Sequence, residues 1–367
     1  MRILLLNWKD LRQPDAGGAE RYVEQVARRW CAEGHEVTVF VPRVAGSPAE
    51  EWDDGVRVLR AGGRHSVFAL ARRHLRRHAA GYDRVVESVS TRPFFAHHVA
   101  GDRALALYHQ MADDVWLREF RFPLSVVGRR VVEPHWVRAM QGARVVAVSE
   151  STAQDLRRFG VDATAIVPPG STPPAGWVPR IPGRRPRLLF LGRLIATKRP
   201  GDALRAAALV RRALPEATLD VAGDGYLAAA LRRDAGDGVR FHGGVDEATK
   251  HELLRRADVL LLPGTREGWG IVALEAAGHG VPVVAYDVNG LRDAVVDGGT
   301  GLVVPPQPEA MAAAAIQLLE DPLRWRTMSA AARRRALHFT WDRAAADLMA
   351  VVAERARVTL PVVERVA

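Results

Sequence analysis

The 367-residue chain has a single cysteine, Cys31, so it can form no internal disulfide and no cysteine-based zinc site. Only three of its 52 basic residues are lysines: Lys9, Lys198 and Lys250. No apolar run approaches the ~18 residues of a membrane span, and no signal-peptide pattern precedes the first strand. A cytoplasmic location is therefore expected, with peripheral contact at the inner face of the membrane left open. No half of the chain concentrates the charge. The net +10 is shared evenly, so neither half reads as a nucleic-acid module and no nucleic-acid partner is expected. The basic balance instead favours anionic partners such as diphosphates, acidic glycans or an anionic membrane face. There is no G-x-G-x-x-G fingerprint after the first strand, where Gly17-Gly18-Ala19-Glu20 stands, so a nicotinamide cofactor is not indicated.

What is present reads as an ordinary globular protein, 48% hydrophobic and 26% charged, long enough for two cores. Arg2 to Leu6 is a short strand, apolar throughout after Arg2, as in a parallel sheet covered on both faces. A helix to Glu33 and a strand over 36–41 complete a βαβ unit, and the alternation continues through strands near 56–60, 82–87, 104–108, 144–148 and 164–167. Residues 113–142 read as partly helical, broken at Pro123 and Pro134. Residues 168–186 carry seven prolines and no periodicity, which marks a linker. The same grammar then restarts at strand 187–191. The pattern predicts two doubly wound Rossmann-like α/β domains facing a central cleft. Their bounds are 1–171 and 187–340, with a linker at 172–186 and a C-terminal helix, 341–367, packing back on the first domain.

The stretch from Pro263 to Ala285 is the chemical focus. Glu267 and Glu275 stand on either side of the Gly268-Trp269-Gly270 turn, the first in a loop after strand 259–262. The second reads as about two turns into a helix that Gly280 ends, ahead of a strand at 281–286. Glycines let backbone N–H groups approach a ligand, and a helix start favours an anion. Alone, such an acidic pair is common on solvated helices.

Further motifs give it context. Besides GGAE at 17–20 they are VSES at 148–151, GRLIATKRP at 192–200, AGDG at 222–225 and FHGGV at 241–245. EGWGIVALEAAGHGVPVVA follows from Glu267, and GGTGLVVPP fills 298–306. In this order they resemble the retaining glycosyltransferases of family 4, which have the GT-B fold, and the resemblance spans nearly the whole chain. It implies transfer of a hexose-type sugar from a nucleoside diphosphate sugar, UDP- or GDP-linked, to an acceptor hydroxyl. No metal and no cofactor are implied, and the mechanism is a front-face one. Arg193 and Lys198 match the family's diphosphate-binding pair, whose fixed cations would meet the charge on the leaving group. Glu275 matches the ribose ligand and Glu267 the donor-sugar contact. Trp269 and Gly270 would offer backbone N–H groups, with Gly268 and Ile271 beside them. Gly17 and Gly18 would approach the donor from the first domain. Gly223, Gly243 and Val245 fall where the nucleotide would lie. His109, at a strand end, is where the family often places an active-site histidine. With Glu267, Arg193 and Lys198 it makes up the expected catalytic set. The family often has Asp after this histidine, where Gln110 stands here. Asp113 and Glu119 are acceptor-side candidates.

The acceptor would be a glycan, a lipid-linked molecule or a natural product. Residues 57–84 hold eight arginines against one acid, Asp83. Helix 66–80 sets Arg72, Arg73, Arg76 and Arg77 against a stripe of Val67, Phe68, Ala71 and Leu75. Such a helix can rest on an anionic membrane, or be a solvated basic helix over the core. The segment 116–130, WLREFRFPLSVVGRR, mixes aromatics with arginines in the same way. Two other readings stand beside the transferase. One is a non-catalytic sugar-nucleotide binder, against which the intact Arg193, Lys198, Glu267 and Glu275 argue. The other is a different GT-B enzyme, a phosphorylase or a sugar-nucleotide epimerase. A phosphorylase needs a pyridoxal-phosphate lysine, and Lys198 suits a diphosphate better.

Overall fold

The computed structural model describes residues 1–354, so residues 355–367 of the expected C-terminal helix lie outside the described residues. The chain opens with β1 (Arg2–Leu6), α1 (Gly18–Ala32), β2 (Glu36–Val41), β3 (Glu50–Asp53), β4 (Val56–Arg60) and α2 (Val67–His78). Next come β5 (Arg84–Val89), α3 (His97–Ala100), β6 (Ala104–Tyr108), α4 (Asp114–Glu119), α5 (Leu124–Val127) and α6 (Glu133–Arg138). β7 (Arg144–Ala147), α7 (Glu150–Arg157) and β8 (Ala165–Ile166) close this part. The second series runs β9 (Arg187–Leu191), α8 (Pro200–Ala213), β10 (Thr218–Ala222), α9 (Ala228–Asp234), β11 (Val239–Gly243) and α10 (Glu247–Arg256). It continues with β12 (Val259–Leu262), α11 (Ile271–Gly278), β13 (Val283–Tyr286), α12 (Leu291–Ala294) and β14 (Gly301–Val304). Three helices end it: α13 (Pro308–Glu320), α14 (Pro322–His338) and α15 (Trp341–Ala353).

The first sheet has the order β3-β4-β2-β1-β5-β6-β7-β8, all parallel except β3, which pairs antiparallel with β4. The second has the order β11-β10-β9-β12-β13-β14, parallel throughout. Both sheets therefore reverse direction of growth beside their first strand, the doubly wound pattern in which ligands bind beyond the carboxyl ends at the reversal. The pure apolar runs explain the central strands: Ile3 to Leu6 and Val259 to Leu261 are each at most 3% exposed. β3 and β14 are the strands the sequence reading lacks. β3 reads Glu50-Glu51-Trp52-Asp53, three charged residues of four and all but Glu51 exposed, as an edge strand tolerates but an apolar-run criterion passes over.

Two compact units result. Among the described residues, one comprises Met1–Asp113, Val126–Gly170 and the chain from Trp341 to Glu354; the other comprises Asp114–Ser125 and Ser171–Thr340. α4 thus goes with the second unit, although the residues before and after it in sequence go with the first. α15 packs against α1, where the buried Trp30 donates its indole N–H to the Ala345 carbonyl at 3.0 Å. The proline-rich segment is tied down on the second unit. The Trp177 indole N–H donates to the His279 carbonyl at 3.0 Å, and Arg333 reaches the carbonyls of Gly278 and Pro174.

Two local expectations need correction. Pro134 does not break a helix. Helical backbone runs from a five-residue π-helical stretch, Gly128–Val132, straight into α6, whose second residue is Pro134, so the proline is accommodated where the wider turn gives way to α-helix. And the strand after α11 begins at Val283 rather than 281, because Pro282 has no N–H to give to the ladder; its carbonyl still accepts from Leu260 N–H at 3.1 Å.

Some glycines are demanded by the packing of this sheet. Gly223 sits at φ +136° after β10, and a Cβ there would lie 1.9 Å from the Gly192 carbonyl oxygen. Gly223→Ala is accordingly expected to lower unfolding free energy by more than about 3 kcal/mol. Gly236→Ala, with open space around it, should stay within about 0.5 kcal/mol of the parent in the same urea titration.

Candidate functional site

The parallel second sheet delivers the loops that follow its strands to one edge. The loop after β9 carries Arg193 and Lys198, and the loop after β10 carries Gly223 to Gly225. β11 ends at Gly243, with Val245 two residues on, and the loop after β12 carries Glu267 to Gly270. β9 and β12 are the two strands that flank the reversal. Their loops touch. The Lys198 ammonium pairs with Glu267 Oε1, and Thr265 N–H donates to the Thr197 carbonyl at 2.8 Å. Arg193 is exposed beside Tyr226 and makes no ion pair among the described residues.

The glycines of the β10 loop serve that arrangement. Gly223 and Gly225 allow the AGDG turn to lie on the backbone of Gly192 to Leu194, and Leu194 N–H donates to the Asp224 carbonyl at 2.8 Å. Gly223 is thus required by loop-on-loop packing, whatever else it contacts. Gly290 does the same under Glu267, whose carbonyl lies 2.2 Å from where a Cβ would stand. Glu267 N–H donates to the Asn289 carbonyl at 3.0 Å, so the glutamate's backbone is held from the next loop as well. Thr265 Oγ1, two residues before Glu267, is buried without a hydrogen-bond partner. A buried hydroxyl left this way is a place where a ligand can complete the bonding.

Gly270 caps α11 in the left-handed region, φ +97°, and Ile271 is the first helical residue. Glu275 is therefore the fifth residue of α11, just over one turn in rather than two, because Gly268 to Gly270 stay in the loop. The Trp269 side chain does not face outward. The residue is 4% exposed and its ring lies 5.1 Å from that of Phe339. Glu275 Oε1 is 2.5 Å from the ammonium of Lys250, the second residue of this site that sequence patterns do not reveal; Tyr226 is the other. The Tyr226 hydroxyl accepts from Ala196 N–H at 2.8 Å and donates to Glu119 at 3.1 Å. For Lys250 the one available signal was the scarcity of lysine.

The first unit presents its own edge. Gly17 precedes α1 and its N–H donates to the Glu20 carboxylate at 2.7 Å, half of a capping box. Its backbone is extended, with φ −142°, and a Cβ there would meet only Glu20 Oε2, at 3.7 Å. The fold does not itself demand glycine at 17. Gly18 is exposed at the start of α1. His109 follows β6 and is 7% exposed. Its Nε2 lies 3.0 Å from Ser88 Oγ, and its ring stands edge-on to Tyr22 at 5.5 Å. Burial lowers its pKa to about 3, so it is a neutral hydrogen-bonding group and not a proton store. Asp113 is taken by Arg129, at 2.7 Å, and belongs to this unit, whereas Glu119 belongs to the other.

α2 shows the expected two-sidedness. Arg72, Arg73, Arg76 and Arg77 are exposed, and Val67, Phe68, Ala71 and Leu75 are buried. The apolar stripe is spent in the core of the first unit, beside Phe40, Tyr82 and Phe94. The helix therefore cannot insert its apolar face into a membrane, as an interfacial amphipathic helix does; only its arginines are available. In the second unit Leu117, Phe120, Phe122 and Leu124 stand 45–82% exposed, with Arg118 and Arg121 among them. No helix among the described residues is long and apolar enough to cross a membrane.

Comparison with known proteins follows the same division. Residues 16–173 match the family model described as Glycosyltransferase Family 4, and residues 176–335 match that described as Glycosyl transferases group 1. The chain is 30% identical to a D-inositol 3-phosphate glycosyltransferase of Jonesia denitrificans, over 98% of this chain and 97% of that one. It is 30% identical to a glycogen synthase of Mycobacterium tuberculosis, over 93% and 92%. Among solved structures, sucrose-phosphate synthase from Thermosynechococcus elongatus superposes with a TM-score of 0.78 at 22% identity, over 95% of this chain and 98% of that one.

His109 makes a pH prediction. Its folded pKa lies below the usual histidine value, so between the two the unfolded chain holds the extra proton and stability falls as pH falls. His74 and His279, lowered to about 4, add the same sign. Glu87, raised by burial to about 7, opposes them, losing stability as pH rises toward that value. The test is therefore a difference. The stability advantage of the parent over His109→Asn should shrink by about 1 kcal/mol between about pH 6 and pH 5 in chemical denaturation. A constant difference would show that His109 takes up a proton in the fold.

Proposed function

Because the chain belongs to glycosyltransferase family 4, with the GT-B fold, we propose that it is a retaining hexosyltransferase acting on a nucleoside diphosphate sugar. The donor is UDP- or GDP-linked, and the acceptor is a hydroxyl of a glycan, a glycolipid or a natural product. One observation carries the reading. At the reversal of the second sheet, the loop with Arg193 and Lys198 and the loop with Glu267 are locked together through the Lys198–Glu267 pair.

In this reading Arg193 and Lys198 meet the diphosphate. As the anomeric C–O bond breaks, charge grows on the leaving phosphate, and two fixed cations stabilise it without a metal. Lys198 exchanges part of its contact with Glu267 for the phosphate, and Glu267 turns its freed oxygen to the donor sugar. The buried Thr265 hydroxyl gains the partner it lacks. Backbone N–H groups of Gly268 to Ile271 face the donor at the start of α11, while Gly243 and Val245 flank the nucleotide. Glu275 accepts from the ribose. Gly17, which the fold does not need as glycine, leaves space for the donor on the side of the first unit. His109 donates or accepts one hydrogen bond at the sugar as a neutral imidazole. The acceptor hydroxyl attacks on the face the leaving group vacates and passes its proton to the leaving phosphate oxygen. The new C–O bond then has the configuration of the old one. The reading carries a cytoplasmic location and, for a lipid-linked acceptor, contact with an anionic membrane through the arginine face of α2.

The direct test is a panel of UDP-, GDP-, ADP- and dTDP-sugars scored by thermal shift and by slow donor hydrolysis. One or more should stabilise the protein and be turned over, with turnover unchanged by a chelator. Lys198→Ala should lower turnover at least about a hundredfold, the scale of losing one charge-stabilising group, while leaving the melting temperature within a few degrees. A panel without stabilisation or turnover, with Glu275→Ala behaving as the parent, would sink the enzyme reading.

The membrane contact is tested by co-sedimentation with vesicles of phosphatidylglycerol and phosphatidylcholine. Replacing Arg72, Arg73, Arg76 and Arg77 by Gln should weaken binding at least tenfold, given about 1 kcal/mol per basic residue at such a surface. Binding that is absent, or indifferent to the four changes, removes α2 from the account.

A further inference from the structure

The three lysines share a situation. Each makes an ion pair with a carboxylate: Lys9 with Asp15, Lys198 with Glu267 and Lys250 with Glu275. Lys9 and Lys250 are buried, and Lys198 is half-buried. In a chain that otherwise uses arginine for its basic residues, two of the three lysines hold the two glutamates of the E-x7-E stretch. A compact ammonium on a thin stem fits where a planar fork does not.

Lys250 is the unexplained one. It lies in the first turns of α10, a helix that starts four residues after β11 ends at Gly243, and its side chain is 10% exposed. Its ammonium sits 2.5 Å from Glu275 Oε1 and 2.9 Å from Glu247 Oε2. One residue on, His251 Nδ1 lies 2.9 Å from His279 Nε2. Glu275 and His279 are four apart, on one face of α11 and its cap, so two adjacent residues of α10 grip that face one turn apart. Glu275 Oε1 is engaged, and Oε2 has no protein partner among the contacts seen.

We propose that Lys250 is a positioning residue for ribose recognition: by occupying Oε1 it fixes the Glu275 rotamer so that Oε2 alone is presented to the ribose hydroxyls. This rests on the reading of Glu275 as the ribose ligand. It also narrows that reading, since the carboxylate then offers the diol a single oxygen. Lys250 touches no reacting atom. It acts through Glu275, and its effect falls on discrimination between ribose and deoxyribose, not on the chemical step.

The readout is the ratio of affinities for UDP and 2′-deoxy-UDP, or for GDP and 2′-deoxy-GDP if the guanine form binds, by calorimetry on the full chain. The parent should prefer the ribonucleotide by about tenfold, the scale of one hydrogen bond to a charged group. Lys250→Met, which keeps the stem's volume, should cut that preference below about threefold while changing the affinity for the deoxy form by no more than about twofold. Glu275→Gln should abolish the preference, and combining it with Lys250→Met should add nothing further. If Lys250→Met does not fold, Lys250→Gln supplies the same comparison. A preference that survives in the Lys250 variant but is lost in Glu275→Gln overturns the role of Lys250. A preference that survives Glu275→Gln, or that the parent lacks, overturns the ribose reading of Glu275 instead.

Discussion

Everything at the candidate site depends on the reversal in strand order between β9 and β12. Two hydrogen-bonded neighbours send their following helices to opposite faces of the sheet, so their loops part and leave room at the carboxyl edge. The room would collapse or gape without cross-ties. The Lys198–Glu267 pair, the Thr265–Thr197 backbone bond and the AGDG turn lying on Gly192 to Leu194 supply them. The last tie is steric and tolerates no side chain at Gly223, which is why that glycine belongs to the architecture before it belongs to any ligand.

The same logic separates two kinds of glycine at these edges. Gly223, Gly225 and Gly290 are jammed against backbone, and a Cβ has nowhere to go. Gly17 is extended and uncrowded. A motif reading treats Gly17 and Gly223 alike as loop glycines near a donor. Only the folded backbone sorts those that hold loops together from the one that is uncrowded.

Much of this was legible in the sequence. The apolar runs of β1, β9 and β12 announce buried parallel strands because both sheet faces are covered, and the buried stripe of α2 follows from its helical period. The membership in a glycosyltransferase family was legible too, from the order of several motifs. Other features depended on tertiary partners and were not legible. β3 is polar because it is an edge. Trp269 was singled out for its backbone N–H, and where its side chain goes, onto Phe339 seventy residues away, no local pattern tells. Lys250 carries no local pattern, since what matters is a carboxylate on a different helix. α2 shows the limit from the other side: its amphipathic period was read correctly, yet whether the apolar face meets lipid or core is decided by Phe40, Tyr82 and Phe94, which no period encodes.

The chain passes between its two compact units at Asp113/Asp114, Ser125/Val126, Gly170/Ser171 and Thr340/Trp341. Its halves are thus interlaced in sequence, although each sheet is built from one continuous stretch. A recombination event at the proline-rich segment would join two complete sheets and still hand each unit a foreign piece: another chain's α4 over the β9 loop, another chain's α15 against α1. Exchange of one sheet for a relative's by a single crossover is therefore constrained by two helices, and inheritance of the whole chain as one block is the arrangement this threading favours.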